Sequence, residues 1–189
     1  KICFLDNVKI QYTSKDIYSN KIRGAENVVL NLSKELSKLN HKVTVYNSCA
    51  SNVKIDNINW HNIENIKDNP HYDLAISNND IRLFDKINAT KKVAISHSIQ
   101  SIEKFIRKGQ LFAYIKHKPI IALLSDYHIR NRNYLLKMFG SFKIDWAVDQ
   151  IFLDSPINNN INNKQAIFTS YKDRNLKLLI NIWKEKIYT

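Results

Sequence analysis

Glycine, proline and cysteine are scarce in this sequence, which has only three glycines, three prolines and two cysteines in 189 residues. Such a composition excludes collagen-like and Gly/Pro-rich disordered chains, and two cysteines without C-x-x-C spacing indicate free thiols rather than a disulfide scaffold. No apolar run approaches the roughly 18 to 20 residues of a membrane-spanning helix, and no secretory leader pattern opens the chain. We therefore expect a cytoplasmic globular protein in which Cys3 and Cys49 are unpaired.

Several catalytic motifs are also missing. The sequence has no G-x-x-x-x-G-K-[ST] loop, no G-x-G-x-x-G after its first apolar run and no G-x-S-x-G elbow. These absences argue against a P-loop NTPase, a dinucleotide-dependent oxidoreductase and an α/β-hydrolase. The six histidines show no metal-ligand spacing. We predict neither a metal site nor a bound cofactor.

The formal net charge of +12 is the strongest compositional bias. Lysines scattered on solvated helix faces are one interpretation, but one stretch also concentrates basic residues among aromatic ones. The basic residues of this stretch are Lys104, Arg107, Lys108, Lys116 and Lys118. Such a surface suits anionic lipid headgroups or a phosphorylated lipid acceptor at the inner face of the membrane. No zinc-finger, RRM or helix-turn-helix signature is present, so specific nucleic-acid binding is not expected.

Short apolar runs of strand length recur along the chain and alternate with helical or irregular connectors. The runs predict strands at 2–6, 42–46, 72–77, 92–96 and 119–125, with an extended segment at 53–63 and helices at 25–39, 81–87 and 131–139. This order predicts an α/β fold with a mainly parallel, Rossmann-like sheet flanked by helices. Ligands of such sheets bind beyond the carboxyl ends of the strands, beside helix N-termini.

Residues 21–46 combine a glycine turn, an amphipathic helix and a buried strand in one unit. Its turn, Arg23-Gly24-Ala25-Glu26, and the following V-L-N-L run resemble the start of retaining GT-B glycosyltransferases of family 4, whose first helix opens with Gly-Gly-Ala-Glu. Here an arginine replaces the first of the two family glycines. The alternative is that Gly24 merely permits a turn before an ordinary packing helix.

The resemblance implies the N-terminal half of a GT-B fold and substrate contacts at Arg23, Gly24 and Ala25. It also implies retaining transfer of a sugar from a nucleotide-sugar to a glycan or lipid-linked acceptor, without a metal. His97 and Ser98 follow the apolar run VAIS directly. In the family a histidine at this place contacts the transferred sugar, so the resemblance makes His97 the catalytic candidate and Ser98 a substrate contact. A lone histidine at a strand end can equally be structural.

Asp126 follows the apolar run PIIALLS and is a further substrate-binding candidate. With His128 it could form an acid/base pair. It could instead cap the predicted helix at 131–139. Both interpretations are open from the sequence.

Residues 1–153 are predicted to form the acceptor-side domain, 154–164 an asparagine-rich linker, and 165–189 the first strand and helix of a truncated nucleotide-sugar domain. In this last segment the resemblance places Arg174 near a lysine that binds the donor diphosphate. The glutamate pair of the family would lie beyond Thr189, so we expect a fragment that is inactive alone. An E-x7-E pattern encoded beyond Thr189 would favour the enzyme. A stop codon there would favour the alternative, a noncatalytic Rossmann-like module that binds a glycan, an anionic lipid or a protein.

Overall fold

The structure is a computed structural model that describes residues 1–17, 19, 22–145, 153–154 and 175–187. The chain divides into two compact units, Lys1–Trp146 and Ala147–Thr189. The predicted linker after Asp154, the strand expected at the start of segment 165–189 and the donor-phosphate candidate Arg174 lie outside the described residues.

Eight strands form one sheet in the described part of the first unit. They are β1 Ile2–Leu5, β2 Val43–Asn47, β3 Val53–Ile55, β4 Ile58–Asn62, β5 His71–Asn78, β6 Asn88–Ser96, β7 Ile120–Leu123 and β8 Ser141–Lys143. Their order is β3-β4-β2-β1-β5-β6-β7-β8, and every neighbouring pair is parallel except β3 with β4. The mainly parallel α/β, Rossmann-like fold predicted from the sequence is confirmed.

In the described residues of the first unit, four short to medium helices flank this sheet. They are α1 Gly24–Lys38, α2 Ile102–Arg107, α3 Leu111–His117 and α4 Asp126–Arg130. Short 3₁₀ segments occupy Ser14–Asp16, Ile63–Asn65, Ile81–Lys86 and Tyr134–Met138. The helix predicted at 81–87 is therefore a 3₁₀ segment, and the helix predicted at 131–139 is replaced by α4 and a separate 3₁₀ turn.

The central strand β1 is buried on both faces, as parallel strands in doubly wound folds are. Ile2 and Phe4 pack in one apolar cluster with residues of α1, including Val29. The alternate residues of β1 pack on the opposite face with Phe105 of α2 and Tyr114 of α3. Helix α1 therefore covers one face of the sheet, and α2 and α3 cover the other.

Both cysteines are free and buried, as predicted. Cys3 belongs to the cluster beneath α2 and α3, and Cys49 belongs to the cluster beneath α1. Burial raises the pKa of the Cys3 thiol to about 12.

The segment predicted as one extended stretch at 53–63 is an antiparallel hairpin of β3 and β4. Its two-residue turn, Asp56 and Asn57, has φ angles of 53° and 59°. Two left-handed residues are the geometry of a type I′ hairpin turn, which Asn and Asp tolerate better than most residues. No glycine marks the turn, which explains why the sequence pattern missed it.

The strand order reverses between β1 and β5. From β1 the chain first builds outward through β2 to β4, and then returns to build outward through β5, β6 and β7 on the other side. The connections on either side of such a reversal lie on opposite faces of the sheet, so a crevice opens at the carboxyl ends of the two central strands. The fold itself places a ligand-sized opening after β1 and β5.

The second unit contains the helix α5 at Leu176–Ile182, which continues as a π-helical turn through Trp183–Ile187. This helix lies in segment 165–189, where the sequence predicts one.

Candidate functional site

Polar side chains meet at the carboxyl ends of three neighbouring strands. Asp6 follows β1, Asn78 ends β5 and His97 follows β6. The Asn78 Nδ2 atom donates a hydrogen bond to the main-chain oxygen of Ala25 over 3.3 Å, and Asn78 Oδ1 lies 2.8 Å from His97 Nε2. The start of α1 and His97 therefore lie at the same edge of the sheet, as predicted.

Asp6 is the most deeply buried acid of this edge, with 1% of its surface exposed. The Tyr12 hydroxyl donates a hydrogen bond to Asp6 Oδ2, and Asn78 also hydrogen-bonds the carboxyl group. Burial raises the pKa of Asp6 to about 6, although both hydrogen bonds oppose this shift. Asp6 thus changes charge near neutral pH.

Glu26 brings a second buried carboxylate to the same edge from the first turn of α1. It is 4% exposed, and its Oε2 atom has no hydrogen-bond partner among the residues that the structure describes. Its negative charge raises the pKa of Asp6 and opposes the shift of His97. We call Asp6, Tyr12, Glu26, Asn78 and His97 the edge network.

His97 is half-buried, and burial lowers the pKa of its imidazole. The ring is therefore mainly neutral at pH 7, because the ordinary pKa of histidine is already near 6.5. An amide oxygen only accepts hydrogen bonds, so Nε2 carries the proton in the contact with Asn78 Oδ1. The ring orientation is fixed by a side chain from the neighbouring strand.

Gly24 is the first residue of α1 and does not adopt a left-handed φ, so the fold does not need glycine for a tight turn there. Apart from its chain neighbours and its own helix backbone, a Cβ atom built at this position would meet no atom of the described residues within 4 Å. Arg23 is extended at the N-cap position and makes no side-chain capping bond. Gly24 is exposed, so neither a tight turn nor a close contact among the described residues requires glycine at this position.

Ser98 and Asp126 occupy different surroundings. The Lys104 Nζ atom donates a hydrogen bond to Ser98 Oγ. Asp126 is exposed and accepts a hydrogen bond from Lys143 Nζ over 3.3 Å. In the described residues it shares no hydrogen bond with the edge network.

Asp126 has neither of the two roles predicted from the sequence, partner of His128 in an acid/base pair and cap of a helix. Ser125, not Asp126, caps α4, since Ser125 Oγ accepts the main-chain N–H of His128. The His128 ring also bonds to Ser125, with 2.7 Å between Nδ1 and Oγ, so the predicted Asp126–His128 pair does not form. The cap falls to Ser125 because Ser125 occupies the N-cap position, whereas Asp126 is already the first residue of α4.

A cleft of about 400 Å³ opens at the strand-order reversal. It is lined by residues 6–8 after β1 and 78–80 after β5, together with Arg82, Lys108 and Gln110. His97 is connected to the cleft through Asn78. The volume is that of a small-molecule site.

Besides Tyr12, which lies in the loop after β1, three residues of the edge network were not singled out from the sequence. Asp6 reads as the end of an apolar strand, Asn78 as the polar boundary of another, and Glu26 as part of a helix-opening motif. Asp6 directly follows a buried strand, and Asn78 ends one. Glu26 lies in the first turn of α1, the helix that packs on the sheet. Only the strand order shows that these positions meet.

No group of three or more histidine, cysteine, aspartate or glutamate side chains is arranged to hold a metal ion in the part of the chain that the structure describes. No helix there is both long and apolar enough to cross a bilayer. The chain matches no protein-family model, no curated protein and no solved structure.

Proposed function

We propose that the first unit is the acceptor-side domain of a retaining glycosyltransferase, which transfers a sugar from a nucleotide-sugar to a glycan or lipid-linked acceptor. The observation that supports this proposal is the edge network, because it joins the Gly24–Ala25 opening of α1 to His97 at the strand-order reversal. These are the two elements on which the resemblance to family 4 depends.

The charges of the edge network suit the chemistry of this transfer. Positive charge develops on the sugar as the nucleotide diphosphate leaves, and fixed groups aimed at that charge stabilise the transition state. Asp6 and Glu26 are buried carboxylates, whose field is weakly screened. His97 is neutral and fixed by Asn78, so it can orient a sugar hydroxyl without adding an opposing positive charge.

Sugar transfer by the protein encoded by the whole gene tests the proposal. We expect transfer from one member of a panel of UDP-, GDP- and ADP-sugars to a glycan or prenyl-diphosphate-linked sugar, with the anomeric configuration retained in the product by NMR. Residues 1–189 alone should show no transfer and only weak nucleotide-sugar binding by calorimetry. Tight glycan binding without any transfer would instead support the noncatalytic binding module.

We also propose that the surface of α2 and α3 contacts an anionic membrane. Ile106, Phe112 and Ile115 project from these helices with 61%, 78% and 53% of their surfaces exposed. Arg107 and Lys108 lie beside them in the sequence and are exposed. Exposed apolar side chains next to cations suit the headgroup region of an anionic bilayer.

The basic residues predicted for this surface are divided in the structure. Lys116 pairs with Asp85, and Lys104 turns toward Ser98 at the edge of the sheet. A paired lysine adds little to attraction toward a membrane, because its charge is compensated locally. Arg107, Lys108 and Lys118, which are exposed, therefore carry the proposed contact together with the exposed apolar residues.

Replacing Phe112 by serine should weaken binding to vesicles of phosphatidylcholine and phosphatidylglycerol about fivefold or more, because a large aromatic side chain no longer enters the interface. Sedimentation with sucrose-loaded vesicles measures this partition. Leu39→Ser is the matched control, since Leu39 is 68% exposed at the end of α1, on the opposite face of the sheet. If the wild type, Phe112→Ser and Leu39→Ser bind vesicles equally, or if the wild type does not prefer vesicles that contain phosphatidylglycerol, the proposed contact is refuted.

A further inference from the structure

The side chain of Asn78 connects two other members of the edge network. It is 3% exposed and ends β5, the strand that lies between β1 and β6 in the sheet. Its Nδ2 atom donates to the main-chain oxygen of Ala25, and its side chain also hydrogen-bonds the carboxyl group of Asp6. Its Oδ1 atom lies 2.8 Å from His97 Nε2. Asn78 therefore links Asp6 to His97.

The two ends of the Asn78 amide have opposite hydrogen-bonding capacities, since Nδ2 only donates and Oδ1 only accepts. The main-chain oxygen of Ala25 can only accept, and so can the carboxyl group of Asp6 while it is ionised. Both partners therefore require Nδ2 on their side of the amide, which leaves Oδ1 to face His97. An acceptor opposite Nε2 in turn keeps the imidazole proton on Nε2. The position of this proton thus depends on Asp6 through Asn78.

The two hydrogen bonds on the Nδ2 side of Asn78 differ in strength. The contact with Ala25 joins neutral groups over 3.3 Å, which is long for an N–H···O hydrogen bond. A hydrogen bond to an ionised carboxylate is roughly twice as strong as one between neutral groups. Asp6 is 1% exposed, and burial strengthens such a bond further. The carboxylate of Asp6 is therefore the stronger anchor of the amide.

The surroundings of Asp6 set the pH at which this anchor is charged. Tyr12 donates its hydroxyl to Asp6 from the loop after β1, and Asn47 of β2 holds that loop by donating to the main-chain oxygen of Tyr12 over 2.8 Å. Glu26 of α1 contributes a like charge. The charged residues that line the cleft with Asp6 are Asp80, Arg82 and Lys108. The pKa of Asp6 is about 6, so the carboxylate is fully formed at pH 9.

The main chain of His97 is held separately from its ring. Its N–H group donates to Asn79 Oδ1 over 3.4 Å. This contact involves neither Asn78 nor Asp6. A change at Asp6 can therefore alter the protonation of the His97 ring while the end of β6 stays in place.

We propose that Asp6 is a positioning residue for His97: through Asn78, its carboxylate fixes the imidazole as the Nε2-protonated tautomer. A fixed tautomer makes each ring nitrogen either a donor or an acceptor. This role rests on the proposed function, in which His97 orients a sugar hydroxyl, because a ring of mixed tautomers would hold that hydroxyl in two ways. Asp6 acts on the reaction through His97 rather than through the sugar.

Nitrogen-15 NMR of the histidine rings of the 189-residue chain at pH 9 tests this role, because long-range correlations to the ring protons distinguish the two neutral tautomers. Asp6→Asn replaces an anchor that only accepts by a neutral amide that also donates, so Asn78 can turn Nδ2 toward His97. We expect the ratio of Nε2-protonated to Nδ1-protonated His97 to fall about tenfold or more, as for loss of one charge-assisted hydrogen bond. Spectra of His97→Ala identify the signals of His97.

Tyr12→Phe is the matched control, because it removes a different hydrogen bond from the same carboxyl group. Loss of that bond raises the pKa of Asp6, but the group remains ionised at pH 9, so the tautomer ratio should stay nearly unchanged. Asp126→Asn removes an exposed carboxylate and should also leave the ratio unchanged. Circular dichroism melting checks folding. If Asp6→Asn does not fold, Asn78→Ser tests the same link, since it removes the amide, and it should also lower the ratio.

Three results would overturn the positioning role. The first is a wild-type His97 that is not mainly Nε2-protonated. The second is an unchanged tautomer ratio in folded Asp6→Asn, or in Asn78→Ser where that variant replaces it. The third is an equal fall in Tyr12→Phe, which would indicate a general disturbance of the edge network.

The proposed function and the positioning role can fail separately. If Asp6→Asn lowers the tautomer ratio but the whole-gene protein transfers no sugar, the positioning of His97 stands and the glycosyltransferase proposal falls. If transfer occurs while the ratio in Asp6→Asn equals that of the wild type, the function stands and the positioning role falls.

Discussion

Replacing His97 by alanine should lower the turnover number of sugar transfer by about two orders of magnitude, a loss typical of removing a preorganised polar group. The imidazole is held in one orientation by Asn78 and remains mainly neutral at pH 7, so its contribution is orientation of a hydroxyl group rather than charge. Alanine can neither donate nor accept a hydrogen bond. The fold should survive, because only about one net hydrogen bond of stability is lost.

Turnover, donor affinity and melting temperature of the whole-gene protein should be compared for wild type and variant. Donor affinity should change much less than turnover, since the proposal assigns the nucleotide contacts to another domain. His41→Ala is the matched control, because His41 is exposed beyond the far end of α1 and precedes β2. If turnover of His97→Ala is unchanged, or falls only in proportion to lost folded protein, His97 is a structural residue.

Asp6→Asn should stabilise the protein more at pH 7 than at pH 4, by about 2 kcal/mol. In the folded state burial raises the pKa of Asp6 to about 6, whereas the unfolded chain has the ordinary value of 3.8. Between these values the folded state holds a proton that the unfolded state has released, so the stability contributed by Asp6 falls as pH rises. The free-energy cost of ionising the buried carboxyl group is absent below pH 3.8 and complete above about pH 6.

Asparagine keeps the size of the side chain and an oxygen that can accept the Tyr12 hydroxyl, so the variant isolates the charge. Urea unfolding of both proteins at pH 4 and pH 7 gives the required differences. Asp126→Asn is the comparison acid, because its side chain is 62% exposed and its charge stays in water. If Asp6→Asn changes stability equally at the two pH values, the folded-state pKa of Asp6 is not raised.

The strands of the central sheet could be predicted from the sequence because each is an apolar run bounded by polar residues. Strands β1, β2, β5, β6 and β7 all lie where such runs occur, since a parallel strand covered on both faces has no polar face to interrupt the pattern. The β3–β4 hairpin could not be predicted, because its partial alternation and glycine-free turn give no clear boundary.

The candidate site was predictable only in part, for a physical reason. His97 and the Gly24 turn could be placed at one edge because parallel strands all end there. The contacts of Asn78 with Ala25 and His97 depend on which strands are neighbours, and apolar periodicity carries no information about strand order. Likewise, nothing local distinguishes the buried Asp6 from an exposed acid that ends a strand.

The buried thiol of Cys3 has a practical consequence for measuring this protein. Its pKa of about 12 leaves almost no thiolate at neutral pH, and its side chain is inaccessible in the middle of the sheet. A thiol reagent can therefore modify Cys3 only during the moments when β1 separates from its neighbours. The modification rate, compared with that of an exposed model thiol, gives the opening free energy of the central sheet without any engineered label.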